Sequence, residues 1–158
     1  MTILNNFDHK NIRLLFFGRD ECKASDLILK TLQKYNFEVT YIKSKIRNEK
    51  IPRKILQWEG EYILSFRNLF VIPNFLLKKA KFFPINFHPA PPEYPGSGCV
   101  NFALYDGVKE YGVTAHVMNE KIDNGTIIEV RRFPVNSFDN LKTLLTRTHT
   151  ELMNLCLD

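Results

Sequence analysis

The amino-acid sequence predicts an α/β domain with a mostly parallel central sheet and flanking helices. Apolar runs of strand length alternate with stretches of helical periodicity along the chain, the pattern of strands and helices built around a parallel sheet. The 158 residues include 44% apolar and 25% charged residues, ordinary values for one compact domain. Thirteen Phe and six Tyr supply aromatic bulk, and a chain of this length buries about two thirds of its unfolded surface.

Taken in order, Ile12 to Phe17 (IRLLFF) reads as a buried strand that ends in a tight turn at Gly18. Ser25 caps a helix from Asp26 to Tyr35, with Leu27, Ile28 and Leu32 on its inner face. Phe37 to Ile42 alternates apolar and polar residues as a second strand. A basic, mostly polar stretch then runs from Lys43 to Arg53. Tyr62 to Phe66 is a third strand, and Pro73 fits the first turn of a helix through Asn74 to Lys79. Phe83 to Phe87 is a fourth strand. It enters HPAPPEYPGSG, too rich in Pro and Gly to be regular, and a helix follows near Val100 to Tyr105. Tyr111 to Met118 and Gly125 to Phe133 are further strands. Phe138 to Leu157 carries a helical period through Leu141, Leu144, Leu145, Leu152 and Leu155.

Charge is unevenly placed. Residues 1–85 hold 16 Lys/Arg against 8 Asp/Glu, and residues 86–158 hold 6 against 9, so a half of +8 precedes one of −3. A basic half attracts anions such as a nucleotide or a polyanionic cofactor, although for Lys43 to Lys54 alone a solvated lysine-rich surface is the better reading. No nucleic-acid-binding motif accompanies the charge. Cys22, Cys99 and Cys156 are odd in number and widely spaced, with neither metal-ligand nor disulfide-framework spacing. A reducing cytoplasm is the compartment this implies. Residues 1–10 are polar and are expected to be flexible, with no signal-peptide core. No run reaches the ~18 apolar residues of a membrane span.

Gly18-Arg19-Asp20 is not a dinucleotide fingerprint, and no phosphate-binding GxxxxGK[ST] loop is present. Arg19 and Lys23 remain ligand-contact candidates. Asn86 and His88 lie two apart at the end of an apolar strand, so their side chains share a face while Phe87 packs on the other. Alone, the pair fits a structural role as well as a chemical one. The loop that follows fixes its backbone with four prolines and then has two glycines. Proline lowers the entropy lost on ordering, and glycine permits close approach of a ligand. In parallel sheets ligands bind beyond the carboxyl ends of strands, which puts residues 88–98 at a site. Asp123, in EKIDNGTII, is a turn residue on local grounds as much as a catalytic one. Of the other histidines, His9 lies in the polar terminus and His149 on the terminal helix. His116 either lines the site or fills an ordinary strand position.

NFHPAPPEYPGSG followed by KEYGVTAHVMNEKIDNGTII resembles the formyltransferases that use N10-formyltetrahydrofolate. The elements that carry the resemblance are Asn86, His88 and Pro89 after a strand, then Gly96, Gly112-Val113-Thr114, Asp123 and Gly125. It covers residues 12–157 and is strongest over 84–128. It implies a Rossmann-like formyltransferase catalytic domain over residues 11–158, without the C-terminal region usual in sugar formyltransferases. Ala90-Pro91-Pro92 stands where purine-pathway and initiator-tRNA members carry a Ser-Leu-Leu-Pro type of loop. The loop looks most like that of enzymes that formylate nucleotide-linked, dTDP-type amino sugars for surface polysaccharide such as O-antigen. The alternatives are a purine precursor or aminoacyl-tRNA as acceptor, or a folate- or nucleotide-binding fragment without turnover.

The resemblance implies that Asn86, His88 and Asp123 form the catalytic trio. Asn86 would donate its side-chain NH2 to the tetrahedral oxyanion, a role that contributes about 3–4 kcal/mol. His88 would handle the amine proton, unless Asp123 and a water carry it. Asp123 would orient the imidazole. Ser65, Phe66, Arg67, Leu69, Phe70, His116 and Asp123 would line the folate site, with core packing the alternative for Leu69 to Ile72. Arg19, Lys23, Tyr94 and Gly96 would contact the nucleotide sugar. No metal is required, and the implied partners are the nucleotide-linked amino sugar and a second copy in a homodimer.

Overall fold

The computed structural model describes residues 11–158; residues 1–10, including His9, lie outside the described residues. Among the described residues six strands and four α-helices follow one another as β1 (Arg13–Arg19), α1 (Lys23–Lys34), β2 (Glu38–Ser44), β3 (Gly60–Phe66), α2 (Asn74–Leu77), β4 (Ala80–His88), α3 (Cys99–Tyr105), β5 (Glu110–Val117), β6 (Ile127–Pro134) and α4 (Leu141–Leu157). A short 3-10 turn at Arg53–Gln57 precedes β3. The strands form one sheet in the order β2-β1-β3-β4-β5-β6. β1 is parallel to both β2 and β3, whereas β5 and β6 are antiparallel. The chain divides into two compact units, the first made of the described residues up to Ile85 with Leu157–Asp158, the second Asn86–Cys156.

In the first unit β1 is central and buried along Leu14, Leu15, Phe16 and Phe17, as expected of a parallel strand covered on both faces. Gly18 does not make the turn after β1. It lies inside the strand, and a Cβ there would come within 2.7 Å of the Tyr41 ring and 3.1 Å of Ser25 Cβ. Its role is to make room for the neighbouring strand and helix. The turn falls at Glu21, with φ 53°.

Nor does Ser25 cap α1. The helix starts two residues earlier at Lys23, and the buried Ser25 hydroxyl accepts a hydrogen bond from Arg19 N–H (3.3 Å). Ile28 is the buried residue of the predicted inner face, while Leu27 is 44% exposed. Pro73 sits one residue before α2, at its N-cap. The basic stretch after β2 is partly neutralised, since Lys43 pairs with Asp26 (3.2 Å) and Asp20 (3.8 Å), and Lys45 with Asp20 (3.6 Å).

In the second unit β5 is buried from Tyr111 to His116. Gly112 lets it approach β6 closely, since a Cβ there would lie 2.6 Å from the Arg131 carbonyl oxygen. The pairing slips between Ala115 and His116: Ala115 faces Glu129, but His116 faces Ile127, so Ile128 is an extra residue in β6. This bulge breaks the alternation, and Ile127 and Ile128 are both exposed. α4 buries Leu144, Thr148, Leu152 and Leu155, whereas Leu141 and Leu145 are partly exposed. Thr148 enters that apolar stripe because its hydroxyl donates to the Leu144 carbonyl (2.8 Å).

Candidate functional site

The end of β4, the loop after it, the end of β5 and the 118–126 loop, all in the second unit, bring four polar side chains together. The carboxylate of Asp123 is the centre. Its Oδ1 accepts from Asn86 Nδ2 (3.1 Å), and its Oδ2 accepts from Gly96 N–H (3.0 Å). His88 Nδ1 lies 3.3 Å from Oδ2, and His116 Nε2 lies 3.3 Å from Oδ1. The Asp123 side chain is 11% exposed, and those of His88 and His116 are 5% and 4%.

Local structure explains the convergence. Asn86 and His88 project on one side of β4 because they are two apart. Asp123 has φ 49°, a left-handed conformation that Asp tolerates in a turn. Gly125 lets this loop fold back tightly: a Cβ there would lie 1.5 Å from the Val117 carbonyl oxygen. Gly96 has φ 85°, which turns its N–H toward the carboxylate without the cost a side chain would add.

β5 also fastens the loop after β4. Tyr111 OH donates to the Pro89 carbonyl (3.1 Å), and Thr114 Oγ1 donates to the Ala90 carbonyl (2.8 Å). Arg132 of β6 reaches Glu93 (2.5 Å), an exposed pair that contributes at most about 1 kcal/mol. The buried Thr114 bond matters more. Thr114→Val is expected to cost about 1–3 kcal/mol by stranding the Ala90 carbonyl. Urea unfolding measures the loss, and hydrogen exchange at the Tyr94 and Gly96 amides should quicken.

Each imidazole nitrogen has a polar partner within reach. His88 Nε2 donates to the Tyr94 carbonyl (2.8 Å), and its Nδ1 faces Asp123. Both nitrogens therefore face acceptors, and a proton on each satisfies both. His116 Nδ1 faces the Val117 carbonyl (3.2 Å), and its Nε2 lies 3.2 Å from Asn86 Nδ2 and 3.3 Å from Asp123 Oδ1. Burial by itself would raise the pKa of Asp123. The hydrogen bond from His116, the charge of His88 and the Gly96 N–H outweigh it and hold the carboxyl below its ordinary range. Beside the cluster, the buried Cys99 thiol donates to the Gly96 carbonyl (3.3 Å) and lies 3.9 Å from His88 Nε2. Burial pushes this thiol up and away from thiolate character.

The other sequence-predicted residues have distinct settings. Tyr94 contributes its carbonyl to His88, while its hydroxyl donates to Asp106 (2.7 Å). Arg19 ends β1 half-buried, and Lys23 opens α1 exposed; both belong to the first unit. Also there, Ser65, Phe66 and Phe70 are buried. Ser65 Oγ accepts from Asn68 Nδ2, Leu69 N–H donates to Ser44 Oγ, and Phe70 N–H donates to Asn68 Oδ1. Arg67 Nη1 donates to Cys22 Sγ (3.4 Å). Only Arg67 and Leu69 of these five keep partly open side chains.

Among the described residues no group of three or more His, Cys, Asp or Glu could hold a metal ion, and no helix is long and apolar enough to cross a membrane. A cavity of about 430 Å³ lies in the second unit against Leu104, Val108, Val135 and Asp139. It includes none of the cluster, so the chemistry is read from the cluster. Attack on a carbonyl carbon builds negative charge on oxygen and releases a proton from the nucleophile. Amide N–H groups, a carboxylate and two imidazoles are the groups that meet those two demands.

The sequence profile of the formyl transferase family matches residues 14–157. The chain belongs to the formyl transferase family. A methionyl-tRNA formyltransferase from Listeria innocua is 33% identical over 108 residues, which are 68% of this chain and 35% of that protein. One from Lactobacillus johnsonii is 28% identical over 131 residues, 82% of this chain and 41% of that protein. The matched part of this formyl transferase family member thus spans about a third of the length of the Listeria relatives.

Among solved structures, the fold is shared with an N-formyltransferase from Helicobacter canadensis in complex with folinic acid and dTDP-3-aminofucose. The TM-score is 0.76 at 19% identity, covering 92% of this chain and 61% of that one. It is also shared with a phosphoribosylglycinamide formyltransferase from Streptococcus pneumoniae, at TM-score 0.70 and 17% identity, covering 92% of this chain and 95% of that one. These likenesses establish the Rossmann-like formyltransferase fold that the sequence predicts.

Proposed function

We propose that the chain carries the catalytic centre of an enzyme that transfers a formyl group from N10-formyltetrahydrofolate to the amine of a dTDP-linked amino-deoxysugar. The observation that carries this reading is the buried cluster of Asn86, His88 and Asp123 at the end of β4, in a chain of this family. The formyl donor supplies the electrophilic carbon and leaves as tetrahydrofolate. The acceptor amine forms the new C–N bond, loses a proton and displaces N10, which gains one. Asn86 supplies an N–H to the developing oxyanion. Asp123 has carboxylate lone pairs, whereas both His88 nitrogens already face acceptors, which favours the route through Asp123 and water over His88 as the direct base. His88 then stabilises the carboxylate and keeps it oriented.

Support for a sugar acceptor comes from the Ala90-Pro91-Pro92 loop, from the basic first half that suits a nucleotide diphosphate, and from the fold shared with the Helicobacter canadensis protein and its dTDP-3-aminofucose. A second reading, formylation of methionyl-tRNA, is favoured by the 33% identity to the Listeria innocua relative.

An acceptor panel run with N10-formyltetrahydrofolate separates the two. We expect formylation of a dTDP-amino sugar and none of aminoacylated tRNA or of phosphoribosylglycinamide. Transfer to tRNA alone would replace the first reading with the second. Calorimetric folate binding without transfer to any acceptor would leave a binding module.

A further inference from the structure

We propose that Asp106 is a positioning residue of this site: by accepting the Tyr94 hydroxyl it holds the Tyr94 carbonyl against His88 Nε2 and so keeps the His88 ring turned toward Asp123. The proposal rests on the formyl-transfer reading for its kinetic consequences, while its geometry stands separately.

The loop after β4 carries it. From Pro92 to Gly98 every residue is exposed except Tyr94, which is half-buried. The Tyr94 side chain is therefore the inward anchor of that stretch. Its ring lies 6.0 Å from that of the fully buried Tyr111. Its hydroxyl donates to Asp106 Oδ2 at 2.7 Å, the length of a charge-assisted bond. The main chain of the same residue meets the cluster, where the Tyr94 carbonyl accepts from His88 Nε2 at 2.8 Å. That carbonyl belongs to the Tyr94–Pro95 peptide, which has no N–H to fasten it from the other side. Its direction follows from the Tyr94 backbone, held by the bond from its N–H to the Pro91 carbonyl (3.0 Å) and by its side chain.

Asp106 gives that side chain a rigid stop. It is the C-cap of α3. Behind it the helix is closed by Gly107 N–H on the Leu104 carbonyl (3.2 Å) and Val108 N–H on the Ala103 carbonyl (3.2 Å), with Gly107 at φ 63°. A carboxylate beside the carbonyl end of a helix is electrostatically unfavourable, so helix stability does not account for an Asp here, and the Tyr94 hydroxyl supplies its donor. The other end of α3 holds the same loop, since the Cys99 thiol donates to the Gly96 carbonyl (3.3 Å). Tyr94 and Gly96 both touch the cluster, one through its carbonyl to His88 and the other through its N–H to Asp123 (3.0 Å), and α3 fastens both. The Tyr94–Asp106 bond is exposed, so water replaces it at little cost to the fold. What it fixes is the direction of a carbonyl, and its loss shows in rate rather than in stability.

The test has a ligand-free arm and a kinetic arm. In ¹H–¹⁵N spectra of the wild-type chain the His88 Nε2–H should be a hydrogen-bonded, slowly exchanging resonance. It should exchange at least about fivefold faster in Asp106→Ala and in Tyr94→Phe, as local opening becomes easier. The Tyr94 phenol, held above its ordinary range by the bond to Asp106, should titrate lower in Asp106→Ala. In the kinetic arm each variant should lower kcat about three- to tenfold, less than the roughly hundredfold that a displacement of 1 Å can cost. KM for N10-formyltetrahydrofolate and for the dTDP-amino sugar, and the urea midpoint, should change little. The double variant should be no slower than either single one, because both remove the same bond. Asp106→Asn, whose amide oxygen still accepts from Tyr94, should restore most of the rate.

A folded Asp106→Ala with unaltered His88 exchange overturns the proposal, as does one with unaltered kcat. A double variant in which the two losses multiply also overturns it. So does a raised KM for the dTDP-amino sugar in Tyr94→Phe alone, which would make Tyr94 a substrate contact instead. If the wild-type chain transfers no formyl group at all, the functional reading fails while the exchange arm still decides the positioning role.

Discussion

Asp123→Asn is expected to lower kcat for formyl transfer by a factor on the order of 10²–10⁴, the range for loss of a positioned acid–base group, with KM for the folate donor little affected. The carboxylate is where every other element of the cluster meets: Asn86, His88, His116 and the Gly96 amide all point at it. An Asn in its place keeps one acceptor and brings an NH2 that must face either the Gly96 N–H and His88 or the Asn86 amide and His116, and either choice sets donor against donor.

The same substitution should flatten the acid limb of the stability curve. The native carboxyl is held below its ordinary range, so as pH falls the unfolded chain takes up the proton first. The stabilisation is therefore whole above the unfolded value of about 3.9 and is lost as pH drops through the native value. Urea titrations across that window should show a steeper loss in the wild type than in Asp123→Asn.

Gly125→Ala should be as damaging by a different route. The added methyl would sit 1.5 Å from the Val117 carbonyl oxygen and 2.7 Å from its carbon. Both are backbone atoms, so no side chain can swing aside. The Val117 N–H bond to the Thr126 carbonyl (2.8 Å) closes the neck of this loop and would have to stretch or break. Overpacking costs about 1–3 kcal/mol when neighbours can adjust, and here they adjust least. The expected outcome is a folded protein with a lower unfolding midpoint and little formyl transfer, because Asp123 two residues away no longer meets its donors. Circular dichroism and a folate-dependent rate assay read the two losses separately.

Among the described residues each strand and α-helix overlaps a segment the sequence marks, the strands and long helices through apolar runs or periodicity and α2 through Pro73. What was not legible depended on partners far along the chain. Ser25 looks like a helix cap by sequence, but its hydroxyl is held by a backbone N–H of β1. Gly18 looks like a turn, but it is small to admit Tyr41 of the neighbouring strand. Leu141 and Leu145 fit the helical period of α4, yet the buried stripe runs through Thr148 instead. Asn86 and His88 were visible as a same-face pair and Asp123 as a turn, and their meeting required the resemblance. His116 carried a usable signal. It stands two residues after Thr114 in an apolar strand, repeating on β5 the spacing of Asn86 and His88 on β4, its neighbour in the sheet. Two such polar pairs on adjacent strands are a stronger mark of a shared centre than either alone.

The slip in pairing at Ile128 has a consequence for how this part of the molecule tolerates change. The extra residue lies between Glu129, which pairs with Ala115, and the loop that carries Asp123, and Ile127 and Ile128 are 49% and 53% exposed. Exchanging either isoleucine for a polar residue should therefore be nearly silent. Removing Ile128 keeps every functional group and the 118–126 loop, but takes out the bulge, so Ile127 and the chain leading back to Asp123 enter the sheet at a different twist. In this stretch the number of residues matters more than their identity: the bulge sets the angle at which the chain leaves β5 and β6 toward Asp123.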